Sequence, residues 1–480
     1  MSKFYITTPI YYINDRPHIG HAYTTIAADV LARWRRQAGD EVMLSTGTDE
    51  NSQKTVEAAE KAGQQVQAFT DSMAGIWKAT WDETGISYNR FIRTTDQEHK
   101  EAVYEFIKRV QQKGDIELGE YEGLYCVGHE AFLRPDELVD GKCPEHNREP
   151  EKRQEQNYFF KLSRYQQPLL DYIEKNPDFI QPGSRRNEVI AFIKRGLEDI
   201  SVSRQNGQWG IDWPGDTNQK IYVWFDALVN YLTVAGFPSD EASKWWPADI
   251  HLVGKDIVKF HAIYWPAMLM SAGIELPKTI FGHGFFTIDG QKISKSLGNA
   301  VSPAELAGDY GIDALRYYLL REIPFGGDGE FSRERFHQVY NADLANELGN
   351  AVQRVAAMVN KYLSGRLGEI PQSSHDTGVI RDYMARLEID KALTEIWQHV
   401  KGVNQYIEDE KPWQLAKTDP NQLAIVLQQS AADLLHVATL LDAFVPATAD
   451  RIRATFGNGV INNEVGILFP KFEQPTITAP

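Results

Sequence analysis

The sequence predicts an α/β protein: a parallel-sheet domain, interrupted by an inserted subdomain and followed by a C-terminal α-helical bundle. Three observations predict it. Lys3 to Ile13 is rich in Ile, Tyr and Phe, a helical spacing runs through Ile26, Val30, Leu31 and Trp34, and Glu41 to Ser45 is strand-like; together they make a β-α-β unit, the building block of parallel sheets. From about Gly114 to Arg185 the chain turns to short, charged, turn-rich pieces. After about Phe336 the strand signals fade and Leu344, Leu348, Val352, Val355 and Val359 fall on one helical face.

In chain order, the first strand feeds a helix over His21 to Ala38 that Gly39 stops, and Glu41 opens the next strand. A Rossmann-like sheet of this kind binds ligands at the carboxyl ends of its strands. Alternation returns at Ile221 to Phe225, and Ile250 to Val253 runs through Gly254 into a helix over Asp256 to Ser271, so the sheet domain resumes there. The expected domains are 1–114 and 216–335 for the two halves of the sheet domain, 115–215 for the insert and 336–480 for the bundle. The tail from Gln474 to Pro480 reads as frayed.

Composition narrows the class. With 480 residues, 42% hydrophobic and 24% charged, the chain can bury several domain cores and is not disordered. Lys plus Arg is 50 against 66 acidic residues, a net charge of −16, which excludes indiscriminate binding to nucleic acid or anionic membrane but leaves room for a local basic groove. Two cysteines are too few for a disulfide scaffold. No apolar stretch approaches the roughly 18 residues of a membrane span and no leader is evident, so the expected location is cytoplasmic.

Chemistry concentrates in two segments. Asn14-Asp15-Arg16-Pro17-His18-Ile19-Gly20-His21 puts two histidines around a glycine where a helix opens; helix N–H groups attract phosphate, and imidazoles can donate to its oxygens. Downstream, Asp289-Gly290-Gln291-Lys292-Ile293-Ser294-Lys295-Ser296 sets two lysines in a mobile glycine-flanked loop, suited to neutralising charge that builds on a polyphosphate during transfer.

Together, His-Ile-Gly-His and Lys-Ile-Ser-Lys-Ser resemble the paired signatures of class I aminoacyl-tRNA synthetases. Within that class the sequence is most similar to the methionyl-tRNA synthetase family, through Thr7 to Tyr12, Gly47-Thr48-Asp49-Glu50, Val223 to Ala227 and Gly254 to His261. The resemblance implies catalysis by His18, His21, Lys292 and Lys295, ATP held by these four with Gly20, and Mg²⁺ accompanying ATP. It also implies a methionine pocket walled by Ile10, Tyr12, Trp224, Ala227, Leu228, Tyr231, Ile257 and His261, with Asp49 taking the α-ammonium. Aromatic and aliphatic walls suit a thioether, and a carboxylate suits an amine. The family often has His and Gly where this chain has Asn51 and Ser52.

Cys126-Val-Gly-His129 and Cys143-Pro-Glu-His146 are two C-x2-H pairs 13 residues apart, a spacing suited to one tetrahedral Zn²⁺. Twelve histidines in 480 positions make two such coincidences roughly a one-in-1,600 event. The resemblance matches them to a structural zinc knuckle in the insert, usually richer in cysteine. It further implies that Asn350, Arg354 and Trp413 meet the methionine anticodon, as amide, guanidinium and indole groups read and stack single-stranded bases.

The expected activity is therefore ATP-dependent ligation of L-methionine to tRNA(Met) by a monomer. Synthetases for leucine, isoleucine and valine carry an editing domain for which the interval from His21 to Lys292 is too short. A small-molecule nucleotidyltransferase has no use for the bundle, and a catalytically silent RNA-binding relative would not keep both signatures.

Overall fold

The computed structural model describes residues 2–127, 131–133, 135–144, 147–205, 207–293, 299–373, 375–461 and 466–472. The chain packs as two compact units, one of residues 1–17 and 38–283, the other of residues 18–37 and 284–480.

The first unit is built on a six-stranded parallel sheet. Its strands are β1 (Lys3–Tyr12), β2 (Glu41–Asp49), β3 (Arg90–Arg93), β7 (Ile180–Gln181), β12 (Ile250–Gly254) and β13 (Thr279–His283), in the order β3-β2-β1-β12-β13-β7. The sheet is buried because β-branched and aromatic residues fill it; Tyr5, Ile6, Leu44, Ile92, Leu252 and Ile280 are all inaccessible to solvent. From β1 the chain goes to β2 on one side, while β12 pairs with β1 on the other. The crevice at the carboxyl ends of β1, β2 and β12 is thus a topological switch point, where ligands bind in open α/β sheets.

The insert is an antiparallel sheet of β4 (Ile116–Cys126), β5 (Ala131–Leu133), β6 (Glu151–Phe160) and β8 (Ile200–Ser201), beside a three-stranded sheet of β9 (Ser203–Gln205), β10 (Asp212–Trp213) and β11 (Asp216–Ile221). The strand expected over Ile221 to Phe225 is corrected here. β11 stops at Ile221, and Val223–Ala227 is a short helix. Tyr222 N–H still bonds Val202 O, but Phe225 and Asp226 N–H turn back to Tyr222 O, and tertiary burial overrides the strand preference of the aromatic run.

The second unit contains α1 (Ile19–Gln37), the hairpin of β14 (Phe286–Ile288) and β15 (Gln291–Lys292), and strand β16 (Gly329–Glu330). Its helices include α2 (Ile312–Arg321), α3 (Asn350–Leu363), α4 (Ile389–Glu410), α5 (Pro412–Thr418), α6 (Pro420–Leu441) and α7 (Pro446–Phe456). The expected apolar face holds: Leu344, Leu348, Val352, Val355 and Val359 are all buried. α6 corrects the expectation that no stretch has span length, since it is long and apolar enough to cross a bilayer; 61% of its most apolar window is buried inside the protein, as in a core helix. The residues from Gln474 to Pro480 lie outside the described residues.

Candidate active site

In the first unit, Tyr12 and Asp49 end β1 and β2 as direct register partners. Asp49 is buried, Tyr12 half-buried. The Tyr12 ring meets Trp224 edge-on at 6.5 Å, and Trp224 lies flat on Phe260 at 3.8 Å with 6° between planes. His261 stands edge-on to Trp224 at 6.2 Å. Of the expected pocket residues, Ala227, Leu228, Tyr231 and His261 are buried, while Ile10, Trp224 and Ile257 are partly accessible. Phe260 was not foreseen, although it lies within the segment that carries the resemblance.

His261 sits in a π-helical turn, Phe260–Tyr264, that follows β12. Such turns re-aim side chains and recur at functional sites. Its Nδ1–H donates to Ile257 O at 2.9 Å, so Nε2 accepts from the Tyr231 hydroxyl at 2.7 Å. Burial pulls its pKa down to about 4, and desolvation drives the Tyr231 phenol well up. Both groups are neutral at pH 7. Tyr231 is in turn held by Tyr5, whose hydroxyl donates to Tyr231 O at 3.0 Å.

The two departures from the family pattern have local partners. Asn51 Nδ2 donates to Asp226 Oδ2 at 3.0 Å and to Thr94 O at 3.3 Å. Ser52 caps the helix Gln53–Lys61 by accepting from Thr55 N–H at 3.2 Å, which a glycine cannot do. Between them and Asp49, Glu50 is clamped by Arg93 Nε and Nη2 at 2.7 and 3.0 Å.

The second unit holds the His-Gly-His turn. The His18 and His21 rings stack at 3.7 Å between centroids. Gly20 N–H donates to His18 Nδ1 at 3.1 Å and His18 N–H to His21 Nδ1 at 3.2 Å, which fixes the ring proton of each histidine on Nε2. A Cβ on Gly20 would lie 2.9 Å from His18 Cε1. Glycine is needed here to seat the His18 ring, beyond any approach of a nucleotide to the backbone. No acidic residue occupies the first turn of α1, so the helix N-terminus is unopposed as an anion site.

The lysine segment joins the same unit. Ile19 N–H donates to Val301 O at 3.0 Å, and Tyr23 of α1 packs edge-on against Phe286 of β14 at 5.2 Å. Lys292 corrects the loop expectation: it lies on β15, paired with Thr287 across a turn in which Asp289 and Gly290 both have positive φ, the type I′ signature of Asp-Gly. Lys295 lies outside the described residues.

In the bundle, Asn350 opens α3 and is exposed, as is Trp413 at the start of α5. Arg354, one turn after Asn350, pairs through Nη2 with Glu408 Oε1 of α4 at 2.6 Å. In the insert, Cys126 and Cys143 are buried in one small cluster with Leu133; His129 and His146 lie outside the described residues. Among the described residues no group of three or more His, Cys, Asp or Glu side chains could hold a metal ion.

Comparison with known proteins agrees with this architecture. A family model described as tRNA synthetases class I (M) matches residues 4–149 and 146–356, and one described as the anticodon binding domain of methionyl tRNA ligase matches residues 373–463. The chain is 47% identical over 471 residues to the methionine–tRNA ligase of Caldanaerobacter subterraneus subsp. tengcongensis, covering 95% of this chain and 74% of the relative. It is 46% identical to that of Nostoc sp., covering 96% and 91%. Among solved structures, Mycobacterium tuberculosis methionyl-tRNA synthetase in complex with methionyl-adenylate is similar at a TM-score of 0.90 and 40% identity, covering 99% of each chain.

Proposed function

The chain belongs to the methionyl-tRNA synthetase family of class I tRNA synthetases, and on that premise we propose how its own side chains carry out the reaction. It ligates L-methionine to its tRNA with ATP, through methionyl-adenylate, releasing pyrophosphate and AMP.

In the proposed first step Asp49 holds the α-ammonium by a charge-assisted hydrogen bond, while Ile10, Tyr12, Trp224, Ala227, Leu228, Tyr231, Ile257 and His261 enclose the thioether. A neutral His261 beside a neutral Tyr231, their protons spent on each other and on Ile257 O, leaves the pocket without a charge, which suits an uncharged thioether. The methionine carboxylate attacks the α-phosphorus in line and pyrophosphate leaves. His18 and His21 donate from Nε2 to phosphate oxygens, and Lys292 and Lys295 neutralise charge that grows in the transition state. Mg²⁺ accompanying ATP would supply further neutralisation of the polyphosphate. In the second step a terminal ribose hydroxyl of the tRNA attacks the adenylate carbonyl and AMP leaves. Asn350, Arg354 and Trp413 read the anticodon in this proposal, Arg354 exchanging Glu408 for an RNA partner.

The observation that supports the reading is the packing of the histidine helix against residues on either side of the lysine segment, Ile19 to Val301 and Tyr23 to Phe286, within one packed unit. ATP–pyrophosphate exchange with a panel of amino acids tests it: exchange must depend on methionine, and preference for any other amino acid sinks it.

The donor chemistry of the insert also fits a structural zinc ion. Cys126 and Cys143, buried together, would supply two thiolates, with His129 and His146 as the remaining ligands, and four protein ligands leave no position open for catalysis. We further propose that the protein acts as a monomer in the cytoplasm.

A further inference from the structure

The methionine pocket proposed above draws its two sides from different parts of the first unit. Asp49 ends β2, while Trp224 and Ala227 stand on the short helix Val223–Ala227. A helix of 5 residues is too short to hold itself, so its placement depends on its partners. Asp226, on that helix, is fully buried, and its Oδ2 accepts from Asn51 Nδ2 at 3.0 Å. The same amide, also buried, donates to Thr94 O at 3.3 Å. Its neighbour Glu50 is held in the same way, donating from N–H to Thr94 Oγ1 at 2.9 Å and accepting at its carbonyl from Trp209 Nε1 at 2.8 Å.

We propose that Asn51 is a positioning residue for methionine: by bridging Asp226 and Thr94, its amide fixes the distance between the Asp49 carboxylate and the Trp224 indole. This inference rests on the methionine pocket proposed above.

The geometry supports it. Asn51 is two residues from Asp49, and Asp226 is two residues from Trp224, so the bond sits equally close in the chain to both groups that would grip the substrate. Two residues reach at most about 7 Å when fully extended, which leaves little slack between the bridge and either group. A primary amide has two N–H donors, one for each acceptor, and both neighbours are oxygens, which fixes its orientation. A donor to a buried carboxylate makes one of the stronger hydrogen bonds. Ser52 then caps the helix Gln53–Lys61, so the segment is anchored on its far side as well. A shift of about an ångström in groups that hold a substrate is enough to cost large factors. Because ammonium and thioether are gripped before any chemistry, the loss belongs in the KM for methionine.

The test uses the full chain in methionine-dependent ATP–pyrophosphate exchange, with melting curves alongside. Asn51→Ser is too short to reach Asp226 and leaves room for water to solvate it. It should raise the KM for methionine about tenfold and leave the KM for ATP within about twofold of the parent. Asn51→His, which keeps an N–H donor of similar reach, should bring the KM for methionine back to within about threefold of the parent. Asp226→Asn weakens the same bond from the other side without removing the acceptor, and should raise the KM for methionine by about threefold even if Asn51→Ser does not fold. An unchanged KM for methionine in these variants, or a rise matched by the KM for ATP, overturns the role of Asn51. Asp49→Asn and Trp224→Ala separate the two grounds for failure. If they raise the KM for methionine and Asn51→Ser does not, the pocket stands and the bridge is merely structural; if they leave it unchanged, the pocket fails and the inference with it.

Discussion

Arg316 and Asp29 form an ion pair inside the second unit, Nη2 to Oδ2 at 2.6 Å, with neither side chain exposed to solvent. The guanidinium also donates from Nε to Phe444 O at 2.7 Å and from Nη2 to Ala443 O at 3.1 Å. Asp29 accepts a second bond from Arg33 at 2.8 Å. One side chain of α2 therefore joins α1, whose first turn holds His21, to the turn between α6 and α7.

Arg316→Met should destabilise the fold by about 3–5 kcal/mol, because it takes the buried guanidinium away from a buried carboxylate that keeps Arg33 and leaves two carbonyls without it. Arg316→Lys keeps the charge but cannot reach three acceptors in one plane, and should lose less. Urea midpoints would show the ranking; a Met variant as stable as the parent would mean the pair is not buried as described.

Gly20→Ala should leave the melting curve almost unchanged and reduce methionine-dependent pyrophosphate exchange by about 100-fold, the cost of displacing a catalytic ring by roughly an ångström. The added Cβ lands 2.9 Å from His18 Cε1. Normal exchange in this variant would remove the His18 ring from the proposed machinery.

Acid should weaken the fold through its buried histidines. His261 is held down to about 4 and His99 to about 3 by burial, and His251 lies well below the usual imidazole range. The unfolded chain takes up these protons near pH 6.5 and the folded chain does not, so stability rises with pH between the two values. The contribution is complete above about pH 6.5 and is lost as pH falls toward 4, on the order of 3 kcal/mol for His261. Denaturant midpoints at pH 7.5, 6 and 5 should fall in that order; a flat profile would show that these imidazoles take up protons as readily in the native state as in the unfolded chain.

Trp413→Ala should weaken productive tRNA binding by about 5- to 150-fold, the loss of one base stack worth roughly 1–3 kcal/mol. Methionine-dependent pyrophosphate exchange should survive, since the indole is 37% exposed on the bundle. Aminoacylation that keeps the parent's full preference for the methionine anticodon would make Trp413 merely structural.

The sequence is most legible where period and chemistry coincide. β1, α1, β2 and the apolar face through Leu344 to Val359 follow from spacing, and the two signature segments from residue order. The turn from strand to helix within Ile221 to Phe225 was illegible because five aromatic and β-branched residues in a row carry no measurable period, and burial decided their conformation. The role of Gly20 toward His18 could not be read because it depends on where a ring folds back. Asn51 and Asp226 share no local pattern; only the packing of the first unit makes them neighbours.

The Arg316 clasp also bears on modularity. The carbonyls it grips belong to Ala443 and Phe444, more than a hundred residues after the lysine segment, in a region that reads as a separate appendage. Shortening the polypeptide ahead of that turn would leave Arg316 and Asp29 facing a void or water at the back of the histidine-bearing helix. The bundle is thus a structural dependency of the activation chemistry, and the smallest autonomous activating fragment has to extend past Phe444.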